Sequence, residues 1–162
     1  MNIIQTFYDE MASSYDKLFL DWKAATREQA VILDRIFRQQ GFEKTARVLD
    51  CACGIGTQAI GIASLGYCVT ASDISDGELA QARKRAEENG VTVSFANADF
   101  CALGDTFSEK FDIVIAMDNA LPHMLSKAAP EASRFECEYR ATRREELTGL
   151  LLAAGCRDVV WK

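Results

Sequence analysis

The sequence predicts an α/β fold: a doubly wound, mostly parallel sheet preceded by helices. Three observations carry that expectation. Short apolar runs rich in strand formers alternate with stretches of helical periodicity, an order that produces right-handed crossovers and parallel strands. The first run, Arg47-Val48-Leu49-Asp50, passes at once into Cys51-Ala52-Cys53-Gly54-Ile55-Gly56-Thr57, a glycine turn that opens a helix. Successive predicted strands also end near acids, at Asp50, Asp73, Asp99 and Asp118. In a doubly wound sheet, ligands sit beyond those carboxyl ends.

At 162 residues the chain has room for one domain with a real core, and too little for two ordinary ones. Apolar residues make up 49%, and the charges are mixed, so the chain is expected to be globular. The net charge of -6, without any basic run, argues against nucleic acid as an electrostatically captured partner. No apolar run reaches the ~18–20 residues of a membrane span, and the start lacks the pattern of a secretory signal. A cytoplasmic location is therefore expected. The six cysteines, Cys51, Cys53, Cys68, Cys101, Cys137 and Cys156, contain no C-x-x-C pair, and His123 is the only histidine. That spacing favours structural thiols acting as small hydrophobes and no metal site.

The chain begins with helical periodicity. Ile4, Phe7, Tyr8, Met11 and Tyr15 recur at helical spacing before a break at Ser13-Ser14. Ala24 to Gln40 continues as an amphipathic helix with Ala30, Val31, Leu33, Ile36 and Phe37 near one side, stopped by Gly41. The aromatics of this segment, Phe7, Tyr8, Tyr15, Phe19 and Trp22, fit either a helix pair packed on the core or a cover over a ligand. After the glycine turn, Gln58 to Leu65 reads as a helix and Tyr67 to Asp73 as the second strand. Ser75-Asp76-Gly77-Glu78 has the form of a capping box, in which Ser75 bonds the third helical N–H and Glu78 reaches back. The helix it opens runs to Asn89-Gly90; Val91 to Phe95 is the third strand and Phe111 to Met117 the fourth. Thr142-Arg143-Arg144-Glu145 opens a last helix, and Val159-Val160-Trp161 is a final strand fragment.

Gly54 and Gly56 lack side chains that would block the approach of a ligand, and they can take positive φ. Asp73 stands where a carboxylate would accept from vicinal ribose hydroxyls, or serve simply as a turn residue before the helix. Asp99 can accept from an exocyclic amine while Phe100 covers an adenine face, or the pair can form an ordinary turn. Gly54-Ile55-Gly56-Thr57-Gln58-Ala59 also fits the dinucleotide fingerprint G-x-G-x-x-A. The glycines alone therefore leave a nicotinamide-dependent oxidoreductase open; Asp50 and the later strand-end acids separate the readings.

Taken together, Val48 to Thr57, Val69 to Asp73, Asn97 to Phe100 and Phe111 to His123 resemble four successive motifs of the class I S-adenosylmethionine-dependent methyltransferases. The resemblance covers roughly residues 8 to 126. It implies a Rossmann-like methyltransferase fold and S-adenosyl-L-methionine as cofactor. The turn through Asp50, Cys51, Cys53, Gly54 and Gly56 would hold the methionine part. Asp73 and the adjoining Ile74 would bind the ribose, Asp99 and Phe100 the adenine, and Met117, Asp118 and Asn119 would line the reaction face. Tyr8, Tyr15, Trp22 and Arg27 are similar to the leading segment of the glycine and sarcosine N-methyltransferase group, in which Arg27 would pair with the methionine carboxylate. Arg27 also fits a solvated helix face. The implied reaction is in-line methyl transfer to a small-molecule acceptor, an amine by likeness, with His123 or Asp118 taking or relaying a proton. His123 equally fits a helix-start residue after Pro122. A cofactor-binding module without catalysis is the non-enzyme alternative.

The expected organisation is one methyltransferase domain over 1–162, with a helical cover at 1–41, a cofactor core at 46–126 and a remnant at 134–162. After Leu125-Ser126 the family pattern stops, without the usual Pro-Gly-Gly-type turn and fifth strand. Part of the C-terminal half is expected to be absent, either through residues missing between Ser126 and Arg134 or because the chain is truly truncated. The methyl acceptor and the oligomeric state are not legible.

Overall fold

A central strand sets the arrangement. In the computed structural model, which describes residues 3–12, 14 and 20–117, β1 (Arg47–Asp50) pairs in parallel with β2 (Cys68–Asp73) on one side and β4 (Ile113–Ile115) on the other. β3 (Ser94–Asn97) lies parallel beyond β2, so the order is β3-β2-β1-β4. The winding reverses at β1, which places a topological switch point at the carboxyl ends of β1 and β4. Every described strand is parallel, as the alternation of elements predicts.

Helices α1 (Ile3–Met11), α2 (Trp22–Gln39), α3 (Thr57–Ser64) and α4 (Asp76–Glu88) accompany the sheet. The α2 helix starts where the Asp21 side chain accepts from the Ala24 N–H at 3.0 Å. It ends before Gly41, whose φ of 83° is the left-handed stop expected there. Its buried stripe is Thr26, Ala30, Leu33 and Phe37. Val31, expected on that face, points outward and is 53% exposed. The 3.6-residue period that buries Ala30 turns its immediate neighbour away.

The α3 helix is buried from Thr57 to Ile62 because it lies between α2 and the sheet. Gly61 makes that proximity possible: a Cβ there would stand 2.7 Å from the Thr26 carbonyl oxygen. The core joins Leu33 and Phe37 of α2 to Val48, Ile62, Val69, Ala71, Leu79, Ile113 and Ile115. At the amino end of the strands, the Phe37 and Tyr67 rings meet edge to face at 5.5 Å. Lys44 lies 4.3 Å from the centre of the Tyr67 ring, and both reach Asp34.

The strand boundaries depart from expectation at two places. β3 begins at Ser94, three residues later than predicted, because its register with β2 pairs Thr70 with Ser94 and Asp73 with Asn97. The alternating Val91-Thr92-Val93 precedes that ladder. β4 is confined to Ile113–Ile115, with Ile113 and Ile115 buried and Val114 56% exposed. No helix among the described residues is long and apolar enough to cross a membrane. The segment between Ser126 and Arg134, the helix from Thr142 and the final strand fragment lie outside the described residues, as do Cys137 and Cys156.

Candidate functional site at the strand ends

The glycine turn is built by continuing the sheet after β1 stops. The Cys51 N–H donates to the Ile115 carbonyl and the Cys53 N–H to the Ser72 carbonyl, each at 3.0 Å. The turn is thus tied to the carboxyl ends of β4 and β2. Gly54 then takes φ 51° and Gly56 takes φ 86°, a conformation that costs other residues roughly 1–2 kcal/mol. Gly56 closes the turn by donating to the Cys53 carbonyl at 2.8 Å and serves as the N-cap of α3.

The positive φ values are as expected, and the packing supplies a further reason for the lack of side chains. A Cβ at Gly54 would stand 2.6 Å from Glu78 Oε2, and one at Gly56 would stand 2.9 Å from Ile60 and 3.2 Å from Ala82. Packing within the protein, from α3 and α4, keeps these positions bare.

Asp73, at the end of β2, holds the turn in place. Its Oδ2 accepts from the Gly54 N–H at 2.9 Å and its Oδ1 from the Ser75 N–H at 3.0 Å. Burial pushes this carboxyl above its ordinary value, and those backbone donors pull in the opposite direction. Each carboxylate oxygen has a second lone pair, so both remain able to accept from a further donor. Asp50, one strand over, is fully buried beneath the turn. Burial first, and then the Asp50 charge, push the Cys51 thiol up to about 12 and the Cys53 thiol well above its usual value. These two cysteines are packing groups with suppressed reactivity. Cys68 and Cys101, by contrast, are exposed groups rather than buried hydrophobes.

The start of α4 carries two departures from the predicted capping box. Ser75 Oγ does accept from the Glu78 N–H, at 3.1 Å. Glu78 does not reach back, because the Ser75 N–H is already taken by Asp73. A second carboxylate does part of the capping: Asp9, from α1, accepts from Ser75 Oγ at 2.5 Å and from the Gly77 N–H at 3.0 Å. The Ser75 hydroxyl, followed by the Gly77 N–H, holds Asp9 below the ordinary carboxylate value. Gly77 lets α1 come this near, since a Cβ there would lie 3.1 Å from the Asp9 Cα.

Glu78 itself turns inward. It is 1% exposed, its Oε2 faces Gly54, and its Oε1 has no hydrogen-bond partner among the described residues. Burial first, then repulsion from Asp73 and Asp9, push this carboxyl up to about 8, with Arg85 opposing. The capping-box reading concealed it. The available signal was its place in the buried stripe with Leu79, Ala82 and Ala86. Asn97 also went unnoticed: its Nδ2 donates to the Ile74 carbonyl at 3.1 Å and to Asp76 at 2.9 Å, fixing the loop after β2.

Trp22, the first residue of α2, donates from Nε1 to Thr57 Oγ1 at 2.9 Å, with the Arg85 guanidinium 4.9 Å from its ring centre. It therefore meets the start of α3, immediately after the glycine turn. Arg27 is exposed on α2, with no hydrogen bond to the turn among the described residues. Asp99 is exposed and accepts from the Cys101 N–H at 2.8 Å, capping the 3-10 segment Phe100–Asp105, in which Phe100 is half-buried. Met117, just past β4, packs against the core. The leading aromatics Phe7 and Tyr8 are half-buried and meet edge to face at 5.2 Å. Tyr15, Asp118, Asn119 and His123 lie outside the described residues.

The structure thus brings Asp50, Cys51, Cys53, Gly54, Gly56, Asp73, Ile74 and Trp22 around one turn, and adds Glu78 and Asp9. Residues 48–138 match the family described as a methyltransferase domain. A ubiquinone biosynthesis O-methyltransferase of Methylocella silvestris is 28% identical over 142 residues, which take in 74% of this chain and 55% of that protein. A glycine/sarcosine N-methyltransferase of Aphanothece halophytica is 24% identical over 121 residues, 75% of this chain and 44% of that protein. The fold is shared with magnesium protoporphyrin IX methyltransferase from Synechocystis PCC 6803, solved with bound SAH: TM-score 0.59, 20% identity, 74% of this chain and 59% of that one. The chain spans about half the length of the curated relatives it matches.

Proposed function

Because the chain belongs to the methyltransferase-domain family, we propose that it binds S-adenosyl-L-methionine at the turn after β1 and transfers the methyl group to a small-molecule acceptor. The observation that carries this reading is the Asp73 clamp on left-handed Gly54, at the edge where a parallel sheet receives its ligands. The residues fit an adenosyl ligand bearing positive charge. Asp73 keeps lone pairs for ribose hydroxyls, and a buried carboxyl oxygen of Glu78 beside the turn has no hydrogen-bond partner among the described residues. Bound there, the cofactor would supply a methyl made electrophilic by its sulfonium.

The chain's own contribution is alignment and exclusion of water. Asp50, Cys51, Cys53, Gly54 and Gly56 form the turn, with Asp73 and Ile74 at the ribose. Asp99 and Phe100 are assigned to the adenine, Asp99 through the carboxylate oxygen its cap leaves open. Met117, Asp118 and Asn119 are assigned by the family likeness to the face where the acceptor arrives. Trp22, held by Thr57, closes the side next to α3, and Tyr15 and Arg27 complete the cover. His123 or Asp118 takes the proton an amine must lose before attack. We propose a small amine as acceptor, on the likeness of the leading segment to the glycine and sarcosine N-methyltransferases. An oxygen acceptor such as a phenol, in line with the O-methyltransferase name of one relative, is the outcome that would replace it.

Thermal unfolding with and without S-adenosylhomocysteine tests the class. Ligand at a hundredfold excess over Kd should add about 2.7 kcal/mol of stability, while NAD(H) and NADP(H) add nothing. Stabilisation by a nicotinamide cofactor instead would overturn the reading. Transfer of labelled methyl to amines, and its absence with phenols, tests the acceptor; no transfer to either class would leave a binding module.

A further inference from the structure

The carboxyl of Glu78 is an expensive group to bury without a partner. Oε1 has no hydrogen-bond partner among the described residues, and Oε2 lies where a Cβ on Gly54 would meet it at 2.6 Å. A buried oxygen that gives up water without replacement destabilises the fold. Apolar neighbours in the same stripe, Leu79, Ala82 and Ala86, show that this face of α4 accommodates hydrocarbon. The charges facing Glu78 are mostly of its own sign: Asp73 from the end of β2 and Asp9 from α1, with Arg85 one face along α4. From the turn, Cys53 senses the Glu78 charge, as it senses Asp50 and Asp73. Around Glu78 the site is therefore buried and carries more carboxylates than cations.

We infer that Glu78 is a further residue of the cofactor site, a carboxyl held against the glycine turn to meet a cationic group of the ligand, and that it gives up its proton when the ligand binds. This rests on the functional reading above. In the ligand-free protein the carboxyl is pushed up to about 8, so near neutrality it is mostly un-ionised. A cation beside it favours the carboxylate, and the proton passes to the buffer. The charge can come from the α-ammonium of the amino-acid part or from the sulfonium, and the two are separable. S-adenosylhomocysteine carries only the ammonium; S-adenosylmethionine carries both.

Calorimetric titration in buffers of different ionisation enthalpy counts the protons exchanged. Wild-type protein should release close to one proton per ligand bound around pH 7, and its Kd should fall about tenfold per pH unit between roughly pH 6 and 8. A ligand ammonium that is stabilised on binding takes protons up, so it cannot imitate release. Glu78→Gln, which keeps the shape and hydrogen-bonding capacity of the un-ionised acid, should bind more weakly and lose that release. Release with both ligands assigns the ammonium; release with S-adenosylmethionine alone assigns the sulfonium. Binding without proton release, or release undiminished in Glu78→Gln, overturns the inference and leaves the functional reading standing. Binding of neither ligand overturns that reading itself. If Glu78→Gln does not fold, the wild-type proton count alone decides.

Discussion

Asp34 and Glu78 are carboxylates on helices packed against the same sheet, one toward the amino ends of the strands and the other at the carboxyl ends. Asp34 accepts from Lys44 at 2.5 Å, from the Tyr67 hydroxyl at 2.9 Å and from Arg38 at 3.2 Å. With the Lys44 bond the largest cause, its carboxyl falls to about 2. Glu78 has an oxygen without a hydrogen-bond partner among the described residues and two carboxylates for neighbours, and it rises to about 8. The difference is in the sign and reach of what surrounds each group. At the amino end the fold completes its own electrostatics, and the result is a structural clasp between α2 and the start of β2. At the carboxyl end it leaves a buried carboxyl among like charges, the kind of perturbed group that clusters at functional sites.

The largest expected effect comes from removing the clamp at the carboxyl end. Asp73→Ala strands the Gly54 and Ser75 N–H groups, and at about 1–3 kcal/mol for each unsatisfied donor it should lower stability by roughly 2–4 kcal/mol, some of it recovered by water. Urea unfolding measures this. Binding of S-adenosylhomocysteine to the folded fraction should weaken by about 1–3 kcal/mol. Unchanged affinity would reduce Asp73 to a turn residue.

Gly54→Ala comes next. The left-handed conformation costs an alanine roughly 1–2 kcal/mol, and the new Cβ pushes on Glu78 Oε2. Combining it with Glu78→Ala should recover the steric share and leave the conformational one. Strict additivity of the two substitutions in urea unfolding would mean that the turn and Glu78 do not meet.

The smallest effect sharpens the comparison by pH. Asp34 is lowered from 3.8 to about 2, so its ionised form stabilises the fold above the unfolded value, and that contribution disappears as pH falls from about 4 to about 2. Glu78 is raised from 4.5 to about 8, so its folded environment costs stability increasingly as pH rises through that interval. Thermal midpoints of Asp34→Asn and wild type should differ at pH 7 and converge in acid. Those of Glu78→Gln and wild type should agree near pH 4.5 and separate toward pH 8. Parallel curves for either variant would contradict the corresponding surroundings.

Much of the fold was legible because its signals are local. The parallel order follows from alternating periodicities, and the left-handed stops at Gly41 and Gly90 follow from helix ends. The turn after β1 follows from two glycines behind an apolar strand. The seating of β3 was not, because a ladder register is decided by the partner strand rather than by the alternation of Val91 to Phe95. Val31 was misplaced on α2 because an apolar residue at the margin of a stripe has no local mark of which way it faces.

By itself the sequence determined the class of sheet, the position of its glycine turn and the acids at the strand ends, all carried by residues adjacent in the chain. Tertiary structure alone decided what those residues do to one another. Asp9 reaches a helix that begins 67 positions later in the numbering, at Asp76, and Asp73 reaches back to Gly54. Glu78 leaves its own helix cap to lie against the turn. Such outcomes depend on which surfaces are brought within about 3 Å of each other, the range over which a hydrogen bond forms.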